Sequence, residues 1–595
     1  MEISLYILGG IVGCLVLIFV FRLWETDLSI PLQYTVGGDT DFFLALFKNT
    51  IDTGWFTVGP RLGAPGTMDL HDFPDLMTGT FLLVRFVNLF SSDLGYVFNG
   101  FYGITFILAI CSALFVMRQF HVCPPIAIPL SLLFAFCPFH FYQGMSHPHY
   151  SAFYPIPLVV LLCLWILGED RLFLSRRPGT WPNWCWSGAR AWVAVVSILL
   201  IGFAGPYYVA FSLFLLLGAG LISVLRHPSE WEHGLDALIL VSSIVCVFSA
   251  QMVPYWTFRL KEGPNPGAVV RKVSDYYSFG LSINNLLMPS AWHRIEALRP
   301  LSLGYDPSPA LGANTAFHLQ NEAVGSNPLG LVASLGLISL IALGVAVPKA
   351  PARVIPHIAS LASLSLLTLL IGLSGGLSEV IALHVTELLR SYNRIAIFLS
   401  FMGMLAVGFW ANAFWDRWAT TWRQKTIFII VAAVLATLAL WEQIPAAVVS
   451  DYQRDATVFQ ADRDFMTSVE KLSDPQARIF QLPYVEFPEG DTYGISGYDH
   501  MRGFYHSKSL RWSFGAIKGR SVARWQKSIV RQPVPELIAA IRQAGFTGLY
   551  VNRLGYQDRG EKVLREIVSV LGPASLVSSQ KDLLFFSLAA SPHAP

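Results

Sequence analysis

Long apolar runs separated by short polar breaks fill the chain as far as residue 445. A helix that crosses a bilayer needs about 20 mostly apolar residues. Runs of that kind occupy 4–22, 96–117, 124–141, 152–168, 190–204, 206–225, 235–254, 328–347, 356–373, 395–414 and 426–445. A further run, 75–91, is short and carries Arg85 near its middle. Lys and Arg gather in short cytoplasmic loops, and this decides how 75–91 is read. If it does not cross, Arg118, the group Arg171, Arg176, Arg177 and Arg190, then Arg226, Lys349 with Arg353, and Arg417, Arg423 and Lys425 all share one side. If it crosses, that bias inverts. The pattern therefore predicts eleven spans, a cytoplasmic N-terminus with 4–22 as a retained anchor, and 75–91 as a half-embedded helix in the first external loop.

After residue 446 the chain becomes charged and has no spanning run. Short strand-like segments (Arg478–Tyr484, Thr547–Asn552, Leu583–Leu588) alternate with helical ones near 459–472, 533–544 and 559–571. The expected fold class is a polytopic α-helical membrane protein, 1–445, followed by a soluble α/β domain, 446–595, outside the membrane. External loops are expected at 23–94 and 259–327.

Composition agrees: 54% hydrophobic, 13% charged and mean hydropathy +0.51, against about 25% charge in an average soluble protein. A net charge of +2 gives no case for nucleic-acid binding. The seven cysteines show no Cys-x-x-Cys spacing and are read as buried thiols. No phosphate-cradling Gly-Lys-Ser/Thr loop occurs, so ATP hydrolysis is not indicated.

Candidate chemistry gathers in the predicted external loops. Gly37-Gly38-Asp39-Thr40-Asp41 follows the first span and places two carboxylates where charge is costly. Asp39 or Thr40 is expected to cap a helix beginning near Asp41. Asp41, Lys48 and Asp52 would share one face of that interfacial helix, with Phe42, Phe43, Leu46 and Phe47 in lipid. The loop continues through Gly54-Trp55, Pro60-Arg61 and Asp69-Leu70-His71-Asp72-Phe73-Pro74.

This order of an acidic pair, a juxtamembrane helix, Gly-Trp and a Pro-bounded half-embedded helix resembles the first external loop of the GT-C superfamily, membrane glycosyltransferases that use polyprenyl-phosphate-linked sugars. The Asp-Leu-His-Asp-Phe-Pro stretch resembles the bacterial YfhO-like branch. The resemblance implies that an acid of this loop is general base toward the acceptor hydroxyl. Asp41 is favoured for that role, with Asp39 assisting. The alternative is that both hold Mg²⁺ or Mn²⁺.

His147 and His149 lie in the second external loop, where GT-C proteins often carry acids. Glu322 precedes the span at 328, and Tyr207 marks an outer turn. These four are candidate substrate contacts. Arg390 and Arg394, at i and i+4, are expected on one helix face and suited to a lipid phosphate. Lys48 and Arg61 are weaker candidates for the same phosphate. Tyr498-Asp499-His500 and Trp512-Ser513-Phe514-Gly515 are read as structural parts of the tail.

The resemblance implies a glycosyltransferase in the bacterial inner membrane. It would move a sugar from a polyprenyl-phosphate lipid to an envelope glycan, lipid or protein, by inverting displacement, with the tail domain periplasmic. The rival readings are a flippase of lipid-linked sugars and a non-catalytic envelope-assembly protein.

Overall fold

The computed structural model describes residues 2–588 except 74–75, 145, 169–171, 176–180, 185–187, 269–278, 290–292, 304–327, 346–354, 385, 447 and 491. Every predicted span coincides with an apolar helix. Among the described residues seven helical units reach spanning length: Glu2–Val20, Leu94–Gln119, Pro124–Gln143, Pro206–Arg226, Glu232–Glu262, Tyr392–Trp418 and Trp422–Gln443. Four shorter apolar helices, Ile156–Leu167, Ala189–Gly202, Leu331–Val345 and Ile355–Gly372, fall at the remaining positions. The run around Arg85 forms an amphipathic helix of 11 residues, Thr78–Asn88. That is too short to cross alone.

The helix Ala396–Trp418 is the hub of the bundle and is buried almost continuously from Ala396 to Phe409. It meets Leu331–Val345 through glycine. A Cβ on Gly336 would stand 2.1 Å from the Gly403 carbonyl oxygen, and one on Gly403 would stand 2.3 Å from the Ala333 oxygen. Only small residues let two helices approach this closely. The first helix and Trp422–Gln443 are peripheral, with only 11% and 6% of their apolar windows buried.

Beyond the last apolar helix, Tyr452–Lys471 leads into a five-stranded sheet. Its order is Arg511–Trp512, Arg478–Leu482, Phe546–Asn552, Leu583–Ser587, Leu576–Val577. The first three strands are parallel, and the last two pair antiparallel. Alternation of apolar residues buries Phe480, Leu482, Leu549 and Phe586 against Leu537, Ile538 and Ile541 of the helix Val534–Gln543.

The sheet does not end on its own edge strand. Trp512 N–H donates to the Arg61 carbonyl (2.8 Å), Ala64 N–H to the Trp512 carbonyl (2.9 Å) and Gly63 N–H to the Phe514 carbonyl (2.8 Å). Residues 61–64 of the first loop thus close an edge that would otherwise expose unpaired backbone groups. Asp72 of the same loop receives both Nε (2.5 Å) and Nη2 (2.7 Å) of Arg520. Arg520 also donates to the carbonyls of Glu262 and Gly263 at the end of the longest helix. The Asp-Leu-His-Asp stretch therefore ties membrane bundle, loop and tail together.

This docking corrects two expectations about the helix Asp39–Thr53. Phe42, Phe43, Leu46 and Phe47 are buried in protein, not lipid. Phe42 stacks on Tyr498 of the tail at 4.9 Å, and Phe47 packs against Phe98 and Phe101. The helix cap is Gly38, with no side-chain capping bond, rather than Asp39 or Thr40. The six described cysteines are free, as expected, although Cys14 and Cys246 are exposed on their helices rather than buried.

Candidate functional site

Gly37 and Gly38 both take positive φ, +67° and +62°, a backbone region open to glycine at little cost. The turn they make starts the helix abruptly, and Asp39 and Asp41 leave its first turn in different directions. Asp39 keeps about half its side chain exposed (47%), whereas Asp41 is completely buried.

Asp39 Oδ2 lies 3.2 Å from His147 Nε2. Thr40 and Ser146 hydroxyls, 3.1 Å apart, hold the two loops in this register. The His147 ring lies 6.2 Å from Tyr150, and the Arg394 guanidinium sits 3.8 Å over the Tyr150 ring and 4.7 Å over Tyr207. Stacking between two aromatic faces fixes the plane of a guanidinium. The Tyr207 hydroxyl accepts backbone N–H bonds from Arg390 (3.2 Å) and Ser391 (3.3 Å), while the Arg390 guanidinium lies 4.9 Å over Phe279. His149 is buried against Phe43 and Tyr150. Burial, with His147 and Arg394 adding to it, holds the His149 imidazole well below its ordinary pKa, so it stays neutral. Asp39, His147, His149, Tyr207, Arg390 and Arg394 thus gather at the end of the bundle that meets the tail.

One expectation about the arginines fails. Arg390 precedes the helical turn Tyr392–Ile395, and the α-helix begins at Ala396. Arg390 and Arg394 therefore do not share a helix face; Tyr207 is what brings them together.

Asp41 belongs to a second cluster, made with the tail. Its Oδ1 accepts a hydrogen bond from the Tyr505 hydroxyl (2.7 Å) and lies 3.5 Å from Arg502 Nε. Arg502 also reaches Asp462 (3.1 Å) and Asp499 (3.6 Å). Tyr34 donates to Asp462 (2.7 Å) and lies 2.8 Å from His506 Nε2. Three carboxylates thus share one guanidinium. Burial pushes the Asp41 pKa up to about 7, with Arg502 opposing and Asp499 adding to it. Burial also lowers His506 to about 3. Arg502 and Tyr505 lie one turn apart on the short helix Met501–His506.

Lys48 and Arg61 are engaged elsewhere. Both pair with Asp52, Arg61 at 2.7 Å, and Arg61 also donates to the Ser507 carbonyl (3.0 Å) and lies 4.5 Å over Phe504. Arg61 fastens the loop to the tail, Lys48 pairs within the loop helix, and neither is found with Arg390 and Arg394. Glu322 falls outside the described residues. Among the described residues no three His, Cys, Asp or Glu side chains converge as a metal set. Asp41 spends one oxygen on Tyr505 and Arg502, while Asp39 turns to His147.

Sequence reasoning missed Arg502, Tyr505, Asp462 and Tyr34. The polar–aromatic stretch Tyr498-Asp499-His500 lies just before Arg502 and Tyr505, whose cluster partners Tyr34 and Asp41 lie more than 400 residues away in sequence. Of the tail residues singled out in the sequence, His500 and Trp512 are buried, and Asp499 joins the Arg502 cluster.

No protein-family model and no curated protein matches the chain. Among solved structures, ArnT from Cupriavidus metallidurans bound to undecaprenyl phosphate aligns over 100% of this chain and 99% of its own, at 11% identity and TM-score 0.47. The apo oligosaccharyltransferase of Archaeoglobus fulgidus aligns over 93% of this chain and 70% of its own, at 12% identity and TM-score 0.44. The arabinofuranosyltransferase AftD from mycobacteria aligns over 99% of this chain and 42% of its own, at 11% identity and TM-score 0.46. At these scores the three likenesses assign no activity to this chain.

Proposed function

We propose that this protein is a glycosyltransferase that moves a sugar from a polyprenyl-phosphate carrier to an envelope acceptor. The observation that carries this reading is the half-exposed Asp39, paired with His147 at 3.2 Å, at the same end of the bundle as the aromatic-stacked Arg394. An acid that can meet an acceptor and a cation that can meet a phosphate are the two groups this displacement needs.

In the proposed step the acceptor hydroxyl attacks the anomeric carbon from the side opposite the phosphate. Asp39 takes the hydroxyl proton as the new C–O bond forms, and the anomeric C–O bond to phosphate breaks. Polyprenyl phosphate leaves with the electron pair, stabilised by Arg394 and Arg390. The anomeric configuration inverts. His147 orients Asp39, and His149 and Tyr207 pack against Tyr150 beside it. Asp41 is a positioning residue in this scheme: it is buried under Tyr505 and holds the tail over the loop helix. The proposed setting is the bacterial inner membrane, with the N-terminus cytoplasmic and the tail and site on the periplasmic side.

The purified full-length protein, reconstituted with labelled polyprenyl-phosphate sugars and envelope acceptors, tests the reading. Label in the acceptor together with free polyprenyl phosphate is expected. Intact labelled lipid crossing the bilayer without transfer would identify a flippase. Neither event would favour a non-catalytic assembly protein.

A further inference from the structure

A cleft lies at the same end of the bundle and shares no residue with the Asp39–Arg394 cluster. Its volume is about 1110 Å³, and it lies between the ends of the first helix and of Trp422–Gln443. Its lower wall is apolar: Leu15, Val16 and Phe19 on one side, Leu440 and Trp441 on the other. Both helices are peripheral, and Leu15, Phe19 and Trp441 stay half-exposed or more, so the cleft opens sideways toward the bilayer.

The rim is different in kind. Arg22 follows the first helix in a left-handed turn (φ +44°), and Arg294 comes from the connection after the longest helix. Arg294 donates Nε to the Ile444 carbonyl (2.9 Å) and lies 5.9 Å from the Trp441 ring. Burial, and Arg22 close by, lower the Arg294 pKa, so the two guanidiniums repel across the rim. Glu25 reaches Arg22 only at 3.7 Å with both side chains about half exposed, and Asp451 is spent on the Arg454 N–H as a helix cap. Ser450 and Tyr452 complete the polar edge.

An apolar slot that opens to lipid and ends under two neighbouring guanidiniums matches an amphiphile with an anionic head. We infer that this cleft binds a membrane lipid with a phosphate headgroup, its hydrocarbon between the two peripheral helices and its phosphate between Arg22 and Arg294. Glycerophospholipid and polyprenyl phosphate share that chemistry. The inference is independent of the transfer reaction proposed above.

Native mass spectrometry of the full-length protein, titrated with phosphatidylglycerol, with diacylglycerol of the same chains and with polyprenyl phosphate, tests it. Phosphatidylglycerol is expected to bind at least tenfold more tightly than diacylglycerol. Arg22→Ser and Arg294→Gln should each weaken binding severalfold, and Arg423→Ala, at the opposite end of the last helix, should not. Leu15→Trp, which fills the slot and leaves both arginines intact, should also displace the lipid; this keeps the test valid if Arg294→Gln misfolds. Tighter binding of polyprenyl phosphate would name the carrier as occupant, and tighter phosphatidylglycerol would name the bulk bilayer. Equal binding of diacylglycerol and phosphatidylglycerol, or unchanged binding in Arg22→Ser and Leu15→Trp, would overturn the inference.

Discussion

Asp41 accepts a 2.7 Å hydrogen bond from Tyr505, a residue 464 positions away in sequence. Through it the loop after the first helix and the tail domain share one buried polar cluster. Asp41 Oδ2 has no hydrogen-bond partner, so losing the Tyr505 hydroxyl leaves the carboxylate with Arg502 alone. Leaving such a group short of a donor costs about 1–3 kcal/mol. Tyr505→Phe should therefore lower the thermal midpoint by several degrees while the far-UV spectrum stays native. An unchanged midpoint would remove the latch role.

The same cluster gives a pH signature. Asp41 titrates at about 7 in the folded protein against an ordinary 3.8, so the folded state holds its proton more tightly. The associated stability is complete below pH 3.8 and is lost as pH rises through 7. His506, lowered to about 3, acts in the opposite sense, losing stability as pH falls below its ordinary 6.5. The difference between wild type and Asp41→Asn isolates the carboxyl. The variant should gain on wild type as pH rises from 5 to 7, by about 1.4 kcal/mol per unit, and level off above. Denaturant melts at stepped pH measure this, and a flat difference would contradict it.

Arg520 clamps Asp72 with two nitrogens and holds two carbonyls at the end of the longest helix. Removing the guanidinium leaves Asp72, largely buried, with Asn265 as its remaining partner. Charge-assisted bonds of this kind contribute about 1.5–3 kcal/mol each. Arg520→Ala should accelerate proteolysis near residues 263–267 and raise hydrogen exchange in 61–72, with little change in the membrane helices. Protection equal to wild type would exclude the clamp.

Arg394 is held by two ring faces, an arrangement that a lysine ammonium cannot reproduce. Arg394→Lys keeps the charge but loses the fixed plane. Transfer should fall at least tenfold, chiefly in kcat, while Lys48→Ala should change turnover less than twofold because Lys48 pairs with Asp52. Equal losses in the two variants would contradict the division between site and scaffold.

Much of this fold is legible in the chain. Apolar length placed all eleven helices, and alternation placed the three longer strands of the tail within two residues. What escaped depends on contacts distant in sequence. Spacing puts Phe42, Phe43 and Phe47 on an apolar face but cannot say whether lipid or Tyr498 covers it. Likewise, the sequence favours Asp41 over Asp39 as the base, and nothing in its spacing shows that the buried Arg502 and Tyr505 claim Asp41. The strands Arg511–Trp512 and Leu576–Val577 have two residues each, too short for any period to register.

In the proposed reaction Asp39, and not Asp41, takes the acceptor proton. The most direct test is single-turnover transfer from a labelled polyprenyl-phosphate sugar by purified Asp39→Asn and Asp41→Asn, each first shown to melt cooperatively. The account predicts that Asp39→Asn loses at least a hundredfold in rate, the general-base contribution, whereas Asp41→Asn keeps transfer within about tenfold of wild type. Full transfer by Asp39→Asn, with loss in a well-folded Asp41→Asn, would contradict it.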